Sequence, residues 1–303
     1  IRDRDVTGVQ TCALPIYACT YVGAVVVPIV HFYGPKEVGY ILRKTRVRAL
    51  ITADRFGHQD FLANLDSIRA DLPDLEWAAV VGDDEGRGLL TFADLADAEP
   101  VGEPAAVDAT RPALVAYTSG TTSNPKGCMI SGRSIIGNGR AMAAAYKMTD
   151  ADRFWSPLPM FHIAAVLPML AIFDVGGAYL TMGHFDPGVA LKMLEKYKVT
   201  ATYPSFVTLI QGLVYHPDFK KRDLSRIRLM NSNFAVQPPG VAAPIMAAMP
   251  NALSNLHVIE PQALGLPAIG HVGAFRPQAS QTLWPLFEQS MVETMASGGS
   301  TDG

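Results

Sequence analysis

From Tyr17 to about Pro250, short β-branched or apolar runs alternate with segments whose apolar residues recur at helical spacing. That alternation predicts an α/β fold built on parallel sheet, because strands joined through crossover helices lie parallel and are covered on their faces. Ala24 to Val30, Arg48 to Thr52, Val199 to Tyr203 and Ile227 to Asn231 read as strands, and Glu37 to Lys44, Gln59 to Ala70 and Val241 to Met249 as helices. Asp186 followed by Pro187 predicts a helix start, with an aspartate N-cap and proline at the first helical position. Val189, Met193 and Tyr197 then fall four apart on one face of that helix, expected to cover the sheet. Ala96 to Pro112 holds three prolines and several acids and is expected to be a subdomain seam. No internal repeat of fixed period is present, which sets solenoids and propellers aside.

Composition narrows the class further. Charged residues make up 17% of the chain and hydrophobic ones 49%, against a usual charged share of about 25%. Such a balance suits sheets buried on both faces. Ala13 to Val30 is uncharged and just long enough to span a bilayer, but Pro15 and Pro28 interrupt it, so no spanning helix is expected there. Met160 to Met182 contains His162, Pro168 and Asp174 and reads as a buried helix followed by a strand. Lys and Arg total 25 against 28 Asp and Glu, with no basic run, so nucleic acid is not expected as a partner. Three cysteines (Cys12, Cys19, Cys128) without CxxC spacing suggest neither a disulfide framework nor a zinc site, and fit a reducing cytoplasm.

The chemistry is concentrated in one loop. Ala113 to Tyr117 reads as a buried strand. It runs directly into Thr118-Ser119-Gly120-Thr121-Thr122-Ser123-Asn124-Pro125-Lys126-Gly127, with helix expected from about Ser134. Hydroxyl side chains, two glycines and a lysine make a donor-rich turn whose backbone N–H groups can wrap anionic oxygens. A triphosphate needs such a turn, with Lys126 adding a point charge and Pro125 stiffening its presentation. Neither the Walker nor the dinucleotide spacing is met, and on composition alone a polar surface turn between strand and helix remains an equal reading.

YTSGTTSNPKG resembles the signature loop of the adenylate-forming superfamily, the acyl- and aryl-CoA ligases, luciferases and peptide-synthetase adenylation domains, with Ser123 where that family usually has Gly. Pro157-Leu-Pro-Met-Phe-His162-Ile-Ala-Ala165 resembles the family motif in which an aromatic or His side chain gates the acyl pocket. The other reading of His162 is a core histidine with satisfied hydrogen bonds. Gly23 to Leu42 and Thr202 to Leu209 also look like this family's large domain, so the resemblance covers most of residues 17–250.

The resemblance implies an ATP-dependent acid:CoA ligase that adenylates a fatty or aryl acid and passes the acyl group to CoA, using Mg2+. It places Thr118, Ser119, Gly120, Thr121, Thr122 and Lys126 at the triphosphate and His162 at the acid. A carrier-protein adenylation domain and a non-catalytic nucleotide-binding remnant are the alternatives. Where the family has Ser-Gly-Gly-Ala at the adenine slot, this chain has Ser232-Asn233-Phe234-Ala235, and two added side chains are expected to reshape or block it. The family's Tyr-Gly-x-Thr-Glu motif, whose acid helps hold magnesium, is not found, and Glu260 lacks its surroundings, so no metal ligand is assigned.

The ends stand apart. Arg4 to Ile16 resembles translated sequencing-adapter read-through, so residues 1–16 are expected to be non-native. Beyond Pro250, and more plainly after Asn255, the alternation fades into an atypical tail. The expected organisation is a partial AMP-binding large domain over residues 17–250 without the family's small C-terminal domain.

Overall fold

A computed structural model describes residues 15–118, 124–231 and 242–251, and Pro285. The expectations for residues 1–14, for Ser119 to Ser123, for Ser232 to Ala235, for Glu260 and for the tail after Asn255 lie outside the described residues. The chain divides into two compact units. One runs to Ala145 and takes in Pro159–Asp174; the other comprises Tyr146–Leu158 and the residues from Val175 onward. The seam expected between Ala96 and Pro112 is corrected by this division, since both sides of that stretch belong to the first unit. Prolines there set local backbone direction, whereas the division falls where the chain leaves a long helix.

The first unit begins with residues 15–21 in helical conformation. Then follow α1 (Pro35–Thr45), β1 (Ala49–Ala53), a small antiparallel pair β2 (Arg55–Phe56) and β3 (Gln59–Asp60), α2 (Phe61–Ile68), β4 (Trp77–Val81), β5 (Leu90–Thr91) and α3 (Phe92–Ala96). Strands β1, β4 and β5 form a parallel sheet in that order, with Ala49 opposite Trp77 and Ala53 opposite Val81. Helices α1 and α2 close over a core of Leu42, Leu65, Ile68, Leu72, Leu75 and Ala78. Burying each leucine or isoleucine of that kind stabilises by about 1.5–3 kcal/mol. The helices start where their sequences supply acceptors: Asp60 caps α2 through Ala63 N–H, and Thr91 with Asp94 forms a reciprocal capping box on α3. α1 ends at Arg46, whose φ of 51° is the left-handed conformation that terminates a helix.

Next come β6 (Pro112–Thr118), β7 (Lys126–Ser131), α4 (Gly132–Ala145) and α5 (Ile163–Asp174). α4 packs on α5 at Gly139, where a Cβ would lie 3.2 Å from Leu170 Cβ. The buried helix read in Met160 to Met182 is α5, with Ala165, Val166, Pro168, Met169, Ala171 and Ile172 inside. Among the described residues Ala24 to Val30, expected as a strand, makes a single parallel bridge, from Val26 to Leu114. Its β-branched composition favours extended backbone, and the neighbouring edge supplies a partner at that one register point.

In the second unit β8 (Arg153–Trp155), β9 (Ala178–Leu180), β10 (Ala201–Thr202) and β11 (Leu229–Met230) form a parallel sheet in the order β11-β10-β8-β9. Its helices are α6 (Pro187–Lys196), α7 (Val207–Val214) and α8 (Ala242–Ala248). Asp186 caps α6 by accepting from Val189 N–H at 2.7 Å, with Pro187 in the first turn, as the sequence predicts. The buried face of α6 differs from the expected one: Ala190, Leu191 and Leu194 are inside, Met193 and Tyr197 are only partly covered, and Val189 is exposed. Close approach to the sheet selects the face carrying a small residue beside two leucines. Trp155, Leu191, Leu194, Val199, Leu213 and Ile227 anchor this core. Among the described residues no helix is long and apolar enough to cross a membrane.

Candidate functional site

The donor-rich loop is closed by a β-ribbon. β6 and β7 run antiparallel with Leu114 opposite Ile130, Val115 opposite Met129, Ala116 opposite Cys128, Tyr117 opposite Gly127 and Thr118 opposite Lys126. The expected passage from strand through loop to helix is therefore corrected: a second strand intervenes, and the helix starts six residues after Lys126, at Gly132. Directly opposite residues of an antiparallel pair share a face, so Thr118 and Lys126 leave the ribbon on the same side. Both are exposed, while Pro125 is buried and fixes the chain just before Lys126. Ser119, Gly120, Thr121 and Thr122 lie outside the described residues.

Gly127 has a local reason to be glycine. A Cβ there would meet Tyr117 Cζ at 3.0 Å, Val115 Cγ1 at 3.1 Å and the Tyr117 hydroxyl at 3.2 Å. The Tyr117 ring thus lies across the strand at Gly127, and its partial burial, with Tyr40 nearby, pushes its phenol pKa up. Ser131 Oγ accepts from Ser134 N–H at 3.2 Å and starts α4. The two strands and the helix are thus fixed in succession on either side of Lys126. Sequence reasoning missed the Tyr117–Gly127 contact, although the Lys-Gly step after the loop is the signal that could have found it.

His162 lies in the same compact unit, at the start of α5. It is exposed rather than a core histidine. Its Nδ1 accepts from Ala164 N–H at 3.0 Å. Although the residue keeps an exposed edge, desolvation by its neighbours lowers its pKa from the ordinary imidazole value. The preceding Phe161 ring sits 5.4 Å from His31 and 6.2 Å from Phe32. His31 also meets Phe56 edge-on at 5.1 Å, and burial lowers its pKa as well.

At the amino edge of the second unit's sheet, Arg228 grips Asp152 through two hydrogen bonds, 3.1 Å from Nε and 2.6 Å from Nη2. Arg228 also donates to the carbonyls of Tyr146 and Lys147. Asn231 donates to the Tyr146 hydroxyl at 2.6 Å, so both flanks of β11 are tied to the turn after α4. Nothing in the local sequence announces this clasp, since its partners are some eighty positions apart.

Among the described residues no group of three or more His, Cys, Asp or Glu side chains is placed to hold a metal ion. Magnesium carried on ATP phosphates needs only one or two carboxylates and water, so the lack of such a group does not bear on it. Cys19 and Cys128 are free thiols.

Comparison with known proteins gives the site its context. The family model described as "AMP-binding enzyme" matches residues 12–258. The chain is 30% identical over 233 residues to a putative acyl-CoA synthetase, YngI, of Bacillus subtilis (strain 168), a match covering 70% of this chain and 42% of that protein. It is 32% identical over 229 residues to 3-[(3aS,4S,7aS)-7a-methyl-1,5-dioxo-octahydro-1H-inden-4-yl]propanoyl:CoA ligase of Rhodococcus jostii (strain RHA1), covering 72% of this chain and 44% of that one. Among solved structures, the anthranilate CoA ligase AuaEII in complex with anthranoyl-AMP superimposes with a TM-score of 0.67 at 26% identity, over 78% of this chain and 45% of that chain. The chain thus spans less than half the length of these relatives. With the family model covering most of the sequence, the chain belongs to the AMP-binding enzyme family.

Proposed function

We propose that this chain supplies the phosphate-gripping and acid-facing part of an ATP-dependent acid:CoA ligase acting on a fatty or aryl carboxylic acid. The observation that carries the proposal is the pairing of Thr118 with Lys126, which sets a hydroxyl and an ammonium on one face at the mouth of the loop. An ammonium there neutralises charge on the phosphate oxygens, and the ladder fixes the backbone from which the lysine reaches. Thr118, Ser119, Gly120, Thr121, Thr122 and Lys126 hold the triphosphate in this reading, and His162 faces the acid.

In the reaction, a carboxylate oxygen attacks the α-phosphorus of ATP and pyrophosphate leaves, giving the acyl-adenylate. The CoA thiolate then attacks the acyl carbon and AMP leaves. Positioning and charge neutralisation provide most of the acceleration in such transfers. The anthranoyl-AMP held by AuaEII is an acyl-adenylate, and it supports this sequence of steps for a relative. ATP, CoA and Mg2+ are the implied small molecules, and the cytoplasm the implied compartment.

The test is to incubate the chain with ATP, Mg2+, CoA and panels of fatty and aryl acids, following pyrophosphate and acyl-CoA. Acid-dependent release of pyrophosphate with acyl-CoA formation supports the ligase. Transfer to a phosphopantetheine carrier in place of CoA replaces it with a carrier-loading adenylation domain. ATP binding without any pyrophosphate release replaces it with a non-catalytic nucleotide-binding role.

A further inference from the structure

The turn that presents His162 is fixed from several sides, and one of those contacts uses a ring nitrogen. His162 N–H donates to Pro159 O at 3.1 Å, and its carbonyl accepts from Ala165 N–H at 2.9 Å and from Val166 N–H at 3.3 Å. With Ala164 N–H donating to Nδ1 at 3.0 Å, His162 is the N-cap of α5, satisfying donors that every helix start leaves open. Phe161, braced by the rings of His31 and Phe32, keeps the approach to this turn in place.

A backbone N–H always donates, so a nitrogen that receives it carries no proton. The neutral imidazole has one protonated nitrogen, which leaves the proton on Nε2. We infer that capping α5 locks His162 as the Nε2–H tautomer, so that it meets its ligand as a neutral hydrogen-bond donor and not as a proton acceptor. The ligand chemistry this fits is an oxygen acceptor, here a carboxylate, and this part rests on the reading that the acid binds beside His162.

The basic nitrogen of this tautomer is the capping one. Protonation would set N–H against N–H at Ala164 and place a positive charge at the positive end of the helix. Desolvation by the ring's neighbours lowers its pKa and so acts in the same direction. General-base chemistry at His162 therefore costs the helix its cap. Asparagine can cap through Oδ1, but its amide does not reach the position of Nε2.

The experiment is 15N NMR of the full chain with labelled histidine, using H162N to identify one signal among seven histidines. At neutral pH the expected result is an unprotonated Nδ1 and a protonated Nε2. On acidification the Ala164 amide should shift with the same midpoint as the ring. H162A should melt at lower temperature and H162N near the wild-type value, while both lose about tenfold or more in carboxylate affinity. A proton on Nδ1, or an Ala164 amide that ignores the titration, overturns the inference. Benzoate and octanoate serve as carboxylate probes. If they move the His162 signals while Nδ1 carries the proton, the inference alone falls. If Nε2 carries it and neither acid moves the signals, the donor role falls together with the acid-binding reading.

Discussion

Thr118 and Lys126 are directly opposite each other in the β6–β7 ribbon, separated in sequence only by the donor-rich loop they close. Two strands thus hold the ends of that segment, buried Pro125 fixes the chain at its exit, and the lysine is on the same face as the threonine. The ribbon's integrity is therefore a condition of the proposed function.

Gly127→Ala should damage that ribbon. The new Cβ would lie 3.0 Å from the Tyr117 ring and 3.1 Å from Val115, closer than ordinary contact, so these side chains must give way by a few tenths of an ångström. Overpacking of this kind costs about 1–3 kcal/mol. Thermal unfolding should show the loss, and adding Tyr117→Ala should recover part of it. A melting temperature equal to wild type would contradict the packing described.

Arg228→Ala should destabilise the second unit by removing the partner of a nearly buried aspartate. Breaking a fully buried pair costs about 3–5 kcal/mol; the partly exposed guanidinium reduces this to roughly 2 kcal/mol. Burial raises the Asp152 pKa, but the hydrogen bonds from Arg228, Thr200 and Thr149 outweigh it and leave the pKa lowered. A carboxyl with a lowered folded pKa contributes stability above its unfolded value, lost as pH falls through the folded one. Wild type should therefore lose stability below about pH 4, and Arg228→Ala should show a shallower acid dependence there. Identical pH profiles would contradict the clasp.

Asp186→Ala should cost about 1 kcal/mol, the usual value of an N-cap, because Val189 N–H loses its acceptor. Chemical denaturation resolves such a change. Asp186→Asn should restore most of it, since the amide oxygen can take the same hydrogen bond.

The parts legible in the sequence are those set by local chemistry. The Asp186-Pro187 start, the helix within Met160 to Met182 and the parallel β/α alternation each follow from neighbouring residues. The parts that are not legible depend on distant partners. β7 carries Lys-Gly-Cys-Met, an exposed stretch with no apolar alternation, and becomes a strand because β6 offers a ladder. Ala24 to Val30 has strand composition but finds a bridging partner only at Val26. The covered face of α6 escapes the sequence because periodicity gives a stripe without saying which stripe meets the sheet. At the site, Lys126 and His162 are visible as motif residues, whereas the cap that fixes the His162 tautomer is visible only once α5 has a start.

The central claim is that the Thr118–Lys126 mouth grips the phosphates of ATP. Its most direct test is the ATP affinity of the chain by isothermal titration, wild type against Lys126→Ala. Loss of one charge-assisted contact of about 1.5–3 kcal/mol predicts a fall of roughly tenfold to a hundredfold, with the melting temperature without ATP unchanged. Equal ATP affinity in the two proteins would contradict the account.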